Sequence, residues 1–204
     1  MNSIAGLIDL KNSTLRNIKL TEFKNDFLNR GTQFQSMVLP KNLGQYFSTS
    51  HFKIQNIYEH RNFIILFSGR LDNRQEIKKL LKIDSNESVS DSKLILLAFI
   101  EMGETSFNVF CGSFSFVILN TENKDIYCVR DHLGMKPIYF AYENNSFYFA
   151  TDLKHIFQLS NKKRVLNEKK LTEIITREDN QTKSTLFSGI YRVEKGSFIT
   201  IKSG

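Results

Sequence analysis

The chain contains no tryptophan and only two cysteines in 204 residues. Cys111 and Cys128 give neither a metal-ligand spacing nor a disulfide framework. Both lie in apolar runs, NVFCGSFSF and IYCVRD, so the sequence predicts two buried structural thiols and no metal site. No apolar run approaches the roughly 18 residues of a membrane span. The apolar start is short and has neither a basic leader region nor a cleavage site. These absences predict a soluble, cytoplasmic protein with no membrane partner. Internal repeats, low-complexity tracts and linkers are missing too, which predicts one domain over residues 1–204.

What the chain does hold is material for a core. It is 41% hydrophobic, with 18 phenylalanines and 7 tyrosines. The net charge of +7 raises the question of a nucleic-acid partner. The lysines and arginines are scattered, however, and only QEIKKLLKI, NKKR and NEKK form small clusters on expected helices or loops. No basic face is expected, and no nucleic acid as partner.

Periodicity predicts a short strand over 3–9, with Gly6 at its middle marking a close backbone approach. LTEFKNDFLNRG reads as a helix with Leu20, Phe23, Phe27 and Leu28 on one face. Strands are expected at 36–39, 53–58 and 63–69, then a charged helix NRQEIKKLL. A further helix starts at Ser90 or Asp91, one of which caps it, and ends at Gly103. Strands follow at 113–120, 125–131, 137–143 and 146–152, the first and last pairs closed as hairpins by TENK and ENN. DLKHIFQLS and VLNEKKLTEIIT read as helices, and SGIYRVEKGSFITIKS as a closing hairpin or strand pair. SFSFVIL and PIYFAY are apolar at nearly every position. An antiparallel sheet with one wet face alternates instead, so these strands are covered on both faces. Two packed sheets with helices outside satisfy that demand.

The residues of 112–156, GSFSFVILNTENKDIYCVRDHLGMKPIYFAYENNSFYFATDLKHI, carry a family resemblance. They resemble the glutaminase domain of class II glutamine amidotransferases, in particular the asparagine synthetase group. The R-D-x-x-G-x-K-P motif falls on Arg130, Asp131, Gly134, Lys136 and Pro137, with Tyr139 after it. Thr151, Asp152 and Lys154 follow as S/T-E/D-x-K. IAGLID, LNRG, SGRLDN, SVSDSKLIL and TLFSGIYRVEKGSFITI resemble further family segments in the same order. The resemblance spans almost the whole chain and implies an α+β, four-layer αββα sandwich of two antiparallel sheets, the N-terminal-nucleophile hydrolase type.

The resemblance also implies a site, which this sequence departs from. The family nucleophile is a cysteine exposed by removal of the initiator methionine, with the free α-amine as base. Asn2 stands there. It is not a nucleophile, and its bulk predicts that Met1 stays. Ser3 would become terminal only if two residues were trimmed. The N-G-E oxyanion loop, which stabilises developing negative charge, reads Ser68-Gly69-Arg70. Glycine stays, the amide is lost, and the acid has become a base. The loop at Arg30 and Gly31 lacks the family's acid, and the carboxylate-binding arginine has no clear counterpart near His51 or Lys53. Asp91 matches the position that binds the substrate amino group; a helix cap explains it equally well. The expected degenerate pocket is therefore Asn2, Ser3, Arg30, Gly31, Ser68, Gly69, Arg70 and Asp91, with no catalytic residue.

Relatives that form β-lactams or cyclise lasso peptides have likewise lost the cysteine. Family members continue into an ATP-dependent synthetase domain marked by S-G-G-x-D-S. This chain contains no such loop and no Walker-type loop. The expectation is a piece of a longer protein, or a partner for a separate synthetase chain. ATP and Mg are expected only in that synthetase part, and no cofactor in this one. A homodimer is left open.

Overall fold

The computed structural model describes residues 3–10, 25, 33–38, 44–50, 56–178 and 183–202. Two antiparallel sheets form its centre. The first runs β10-β8-β9-β1-β3-β2, from β1 (Ser3–Asp9), β2 (Gln33–Val38), β3 (Gly44–Ser50), β8 (Tyr139–Glu143), β9 (Ser146–Ala150) and β10 (Tyr191–Arg192). The second runs β11-β7-β6-β5-β4, from β4 (Ile57–His60), β5 (Phe63–Leu71), β6 (Gly112–Asn120), β7 (Ile126–Arg130) and β11 (Phe198–Ile201). Among the described residues the helices are α1 (Arg74–Leu80), α2 (Asp91–Met102), α3 (Leu153–Ser160) and α4 (Glu168–Ile175), with a 3-10 turn over Gly103–Asn108.

The pleat of each central strand sorts its side chains into two different cores. In β5, Ile64 and Leu66 pack between the sheets, whereas Ile65 and Phe67 pack outward beneath α2. In β6, Val117 and Leu119 point inward, while Phe114, Phe116 and Ile118 point toward α2. β1 does the same in the other sheet. Ile4 and Ile8 join the inter-sheet core, and Ala5 and Leu7 face α3. Three apolar layers between four structural layers leave these strands no wet face, which is why their sequences do not alternate. The expected αββα sandwich is the one observed.

Local chemistry accounts for the boundaries. Ser90, not Asp91, caps α2, accepting from the Lys93 amide at 3.3 Å, and Gly103 closes the helix. Asp152 caps α3, accepting from the Lys154 amide at 2.9 Å. The β8–β9 hairpin turns on Asn144 and Asn145, both at positive φ (50° and 61°), as the two-residue type I′ turn requires. Gly6 faces the inter-sheet core, where a Cβ would come within 2.3 Å of the Phe149 ring. The close approach expected there is that of an aromatic ring.

Three expectations need correction. SGIYRVEKGSFITIKS does not form a hairpin. β10 pairs with β8 in one sheet and β11 with β7 in the other, because the Val193 amide is taken by Ile138 and the Arg130 amide by Ser197. Of the strand expected at 53–58, residues 53–55 lie outside the described residues, Asn56 is not in a strand and β4 begins at Ile57; a further strand, β3, was not expected at all. Cys111 is exposed, since its run breaks just before β6 begins; only Cys128 is buried. The helix expected over LTEFKNDFLNRG lies outside the described residues except for Asn25, which is helical.

Burial pushes the Cys128 thiol well above its ordinary pKa. In native protein at pH 8, a thiol-specific disulfide reagent should therefore modify one cysteine quickly, at Cys111, and the second only after denaturant is added. Modification of both at equal rates would contradict the burial of Cys128.

Candidate functional site

The strand β1 begins at Ser3, which is buried and paired opposite Thr49 in β3. Its start is fixed from the other neighbour. The Ile4 amide donates to the Thr151 hydroxyl at 3.2 Å, and that hydroxyl is 3.3 Å from the Ile4 carbonyl. The Thr151 amide adds a bond to the same carbonyl at 3.0 Å. The T-D-x-K motif thus does two structural jobs: Thr151 holds the N-terminal strand, and Asp152 starts α3. Asn2, Arg30, Gly31, His51 and Lys53 lie outside the described residues.

The R-D-x-x-G-x-K-P motif is the crossover that carries the chain from one sheet to the other, between β7 and β8. Asp131 is fully buried, and its carboxylate accepts from the backbone amides of Leu133 (3.1 Å), Met135 (3.0 Å) and Lys136 (2.9 Å). Three N–H groups on one carboxylate form a compact anion cradle closed on the chain's own side chain. Arg130 donates to the carbonyls of Gly134 and Val193, clasping the crossover to the segment that leads out of β10. Burial, reinforced by the nearby Arg192 charge, pulls the Arg130 guanidinium below its ordinary pKa. Gly134 sits at φ 70° with a would-be Cβ 3.0 Å from the Arg130 guanidinium, so the motif's glycine makes room for its arginine. Pro137 leads into Ile138, which is fully buried.

Against this crossover lies the end of β5. Gly69 and Arg70 line a cleft of about 450 Å³ together with Ser113, Met135 and Lys136. Ser113 stands opposite Arg70, and Ser115 opposite Ser68, in the β5–β6 ladder. Ser68 is buried behind Gly69. The structure therefore brings Gly69, Arg70 and Lys136 to one cleft, though Lys136 was expected only as a structural motif residue. Met135 and Ser113 were not expected there. Ser113 shares the period-2 face of β6, but nothing in the sequence marks which strand end faces the crossover.

Asp91 is not among the residues lining the cleft. It is buried, 5% exposed, with one carboxylate oxygen hydrogen-bonded and the other held only in an ion pair. Oδ2 accepts from the Leu71 amide at 3.0 Å, and Oδ1 is 2.6 Å from Arg74 Nε. This bond to Asp91, the largest influence on it, raises the Arg74 pKa. Arg74 is the residue sequence reasoning missed; the pairing of a helix-start acid with an arginine one helix earlier has no short-range signature. Among the described residues there is no group of three metal-ligating side chains, and no helix is long and apolar enough to cross a membrane.

A family model described as a glutamine amidotransferase domain matches residues 1–204. The chain belongs to that family. Among its curated relatives, glutamine-hydrolyzing asparagine synthetase 3 of Bacillus subtilis is 27% identical over 146 residues, 70% of this chain and 24% of the relative. Glutamine-hydrolyzing asparagine synthetase of Zea mays is 30% identical over 97 residues, 47% of this chain and 17% of the relative. The amidotransferase domain thus spans a quarter or less of these relatives' length. Of solved structures, the allosteric regulatory enzyme of purine biosynthesis superposes with a TM-score of 0.55 at 13% identity, covering 98% of this chain and 41% of that one. Glutamine phosphoribosylpyrophosphate amidotransferase from B. subtilis gives 0.51 at 13% identity, covering 98% and 43%. These structures share the fold of this amidotransferase domain.

Proposed function

We propose that this amidotransferase domain has shed its ammonia-producing chemistry. Its role is to support an ATP-dependent, amide-forming synthetase part, joined to it or on a separate chain. The observation that carries the reading is the state of Asp91. The carboxylate that in the family would meet a substrate amine is instead buried against Arg74 and the Leu71 amide. An incoming amine would have to compete with the Leu71 amide and the Arg74 guanidinium for this carboxylate. The sequence supports the same reading with Asn2 at the nucleophile position and Ser68-Gly69-Arg70 in place of an amide-bearing oxyanion loop. Residues 1–204 act as one domain in this proposal, and ATP and Mg belong to the synthetase part. The proposed setting is the cytoplasm, where ATP is held and two free thiols stay reduced.

Glutamine incubated with the purified chain should release no ammonia above the blank. Release that disappears in Ser3→Ala would overturn the proposal, since it would mean that trimming exposes a working nucleophile. A second reading, a binding module with a degenerate pocket, is favoured by one observation: the cleft beside Gly69 is open and lined by two cations.

A further inference from the structure

The geometry points to a small oxyanion, a carboxylate or phosphate group, as the ligand of this cleft, held between the Arg70 guanidinium and the Lys136 ammonium. The inference rests on reading the pocket as degenerate, but it has its own test. The lining contains two cations and no acid. At about 450 Å³ the cleft is roomy for a ligand of several heavy atoms.

The two cations stand differently from the others nearby. Arg74 is neutralised by Asp91 at 2.6 Å and contributes no net charge to the neighbourhood. Lys136 makes no ion pair among the described residues. Arg70 meets Asp72 through Nε alone, at 2.8 Å, with both side chains well exposed. An exposed pair of this kind is weak and easily exchanged. It orients the guanidinium while leaving the two terminal nitrogens for a bidentate acceptor, the geometry that suits carboxylate and phosphate.

The wall is also built in advance. The Lys136 amide is one of the three donors fixed by buried Asp131, and Arg130 clasps Gly134 in the same loop. Gly69 is held in the β5–β6 ladder opposite Phe114. The lysine is therefore presented from a fixed backbone, which lowers the ordering cost of binding. Ser113 adds a hydroxyl to the lining. Two residues along the same face of β6, the Ser115 hydroxyl is fully buried with no partner among the described residues.

The test is a titration of the full chain, at low ionic strength, with inorganic phosphate and separately with succinate, followed at the Gly69 and Lys136 amides by NMR. Saturable shifts confined to the cleft are expected with at least one anion, and the tighter of the two identifies the ligand's source chemistry. Arg70→Gln and Lys136→Gln should each weaken binding about tenfold. Lys79→Gln, on the exposed side of α1, should leave it unchanged. No saturable shift with either anion overturns the inference. So does equal weakening by Lys79→Gln, which would mean diffuse attraction to a basic surface. The glutamine assay above is independent: ammonia release sinks the proposed function, and anion titration alone decides the ligand.

Discussion

Replacing Asp131 by alanine is expected to lower the stability of the fold by about 3–5 kcal/mol, read as a drop in the urea midpoint at unchanged slope. The carboxylate is fully buried and accepts the amides of Leu133, Met135 and Lys136. Deleting it takes away the acceptor of three backbone donors at once. Each buried donor left unpaired costs roughly 1–3 kcal/mol. The total falls below the simple sum because Leu133 and Met135 are exposed, so water reaches part of the turn. The backbone of Asp131 also matters. Its amide bonds the Phe114 carbonyl, and its carbonyl takes the Gly134 and Gly196 amides at 2.9 Å. Those bonds survive the substitution and keep the variant foldable. Asp131→Asn should fall between the two, since one amide oxygen still accepts while its NH₂ faces donors. A midpoint loss in Asp131→Ala worth under about 1 kcal/mol would show that the crossover is organised by something else.

The second large effect is expected at Gly69. Its φ of 136° is one that side chains rarely adopt, and an added Cβ would lie 2.1 Å from the Ser113 carbonyl oxygen and 2.6 Å from Phe114 Cα. Both obstacles are backbone atoms of the neighbouring strand, so no rotamer change relieves them. Gly69→Ala should push β5 from β6 at the cleft and cost about 3–5 kcal/mol. Gly103 provides the control. It also has positive φ, at 62°, but nothing lies within 4 Å of its would-be Cβ. With ψ at −148° its backbone is in a region that is essentially glycine-only, so Gly103→Ala should cost only that backbone penalty, about 1–3 kcal/mol. Thermal or urea unfolding of the pair separates steric crowding from backbone preference. Equal losses would mean that the close approach at Gly69 is not what requires glycine there.

The unbroken apolar strands were the most legible feature of the sequence. A strand such as β6 buries Val117 on one face and Phe116 on the other, and only a layer on each side allows that. The hairpin turn at Asn144 and Asn145 was legible for a comparable reason, because its chemistry is local. Cys111 misled because an apolar run says nothing about its last residue before a strand, and that residue faces water. The closing strands misled because two adjacent strands look alike whether they pair with each other or part to different sheets. Here each is captured by an older strand, β10 by β8 and β11 by β7.

The candidate site divides along the same line. The departures from the family's motifs at Asn2 and at Ser68-Gly69-Arg70, on which the proposed loss of chemistry rests, are residue identities that no packing alters. The sequence alone also called for a layer on each face of the central strands, since burial on both faces is a property of composition along a strand; the αββα order came from the family resemblance. Tertiary structure decided the rest. It set Lys136 beside Arg70 by turning the crossover around Asp131, and it took Asp91 out of the pocket by closing Arg74 onto it. Both outcomes depend on the distance between charges far apart in the chain. The Coulomb interaction, repulsive between Arg70 and Lys136 and attractive between Arg74 and Asp91, falls with that distance in space, and only folding assigns it.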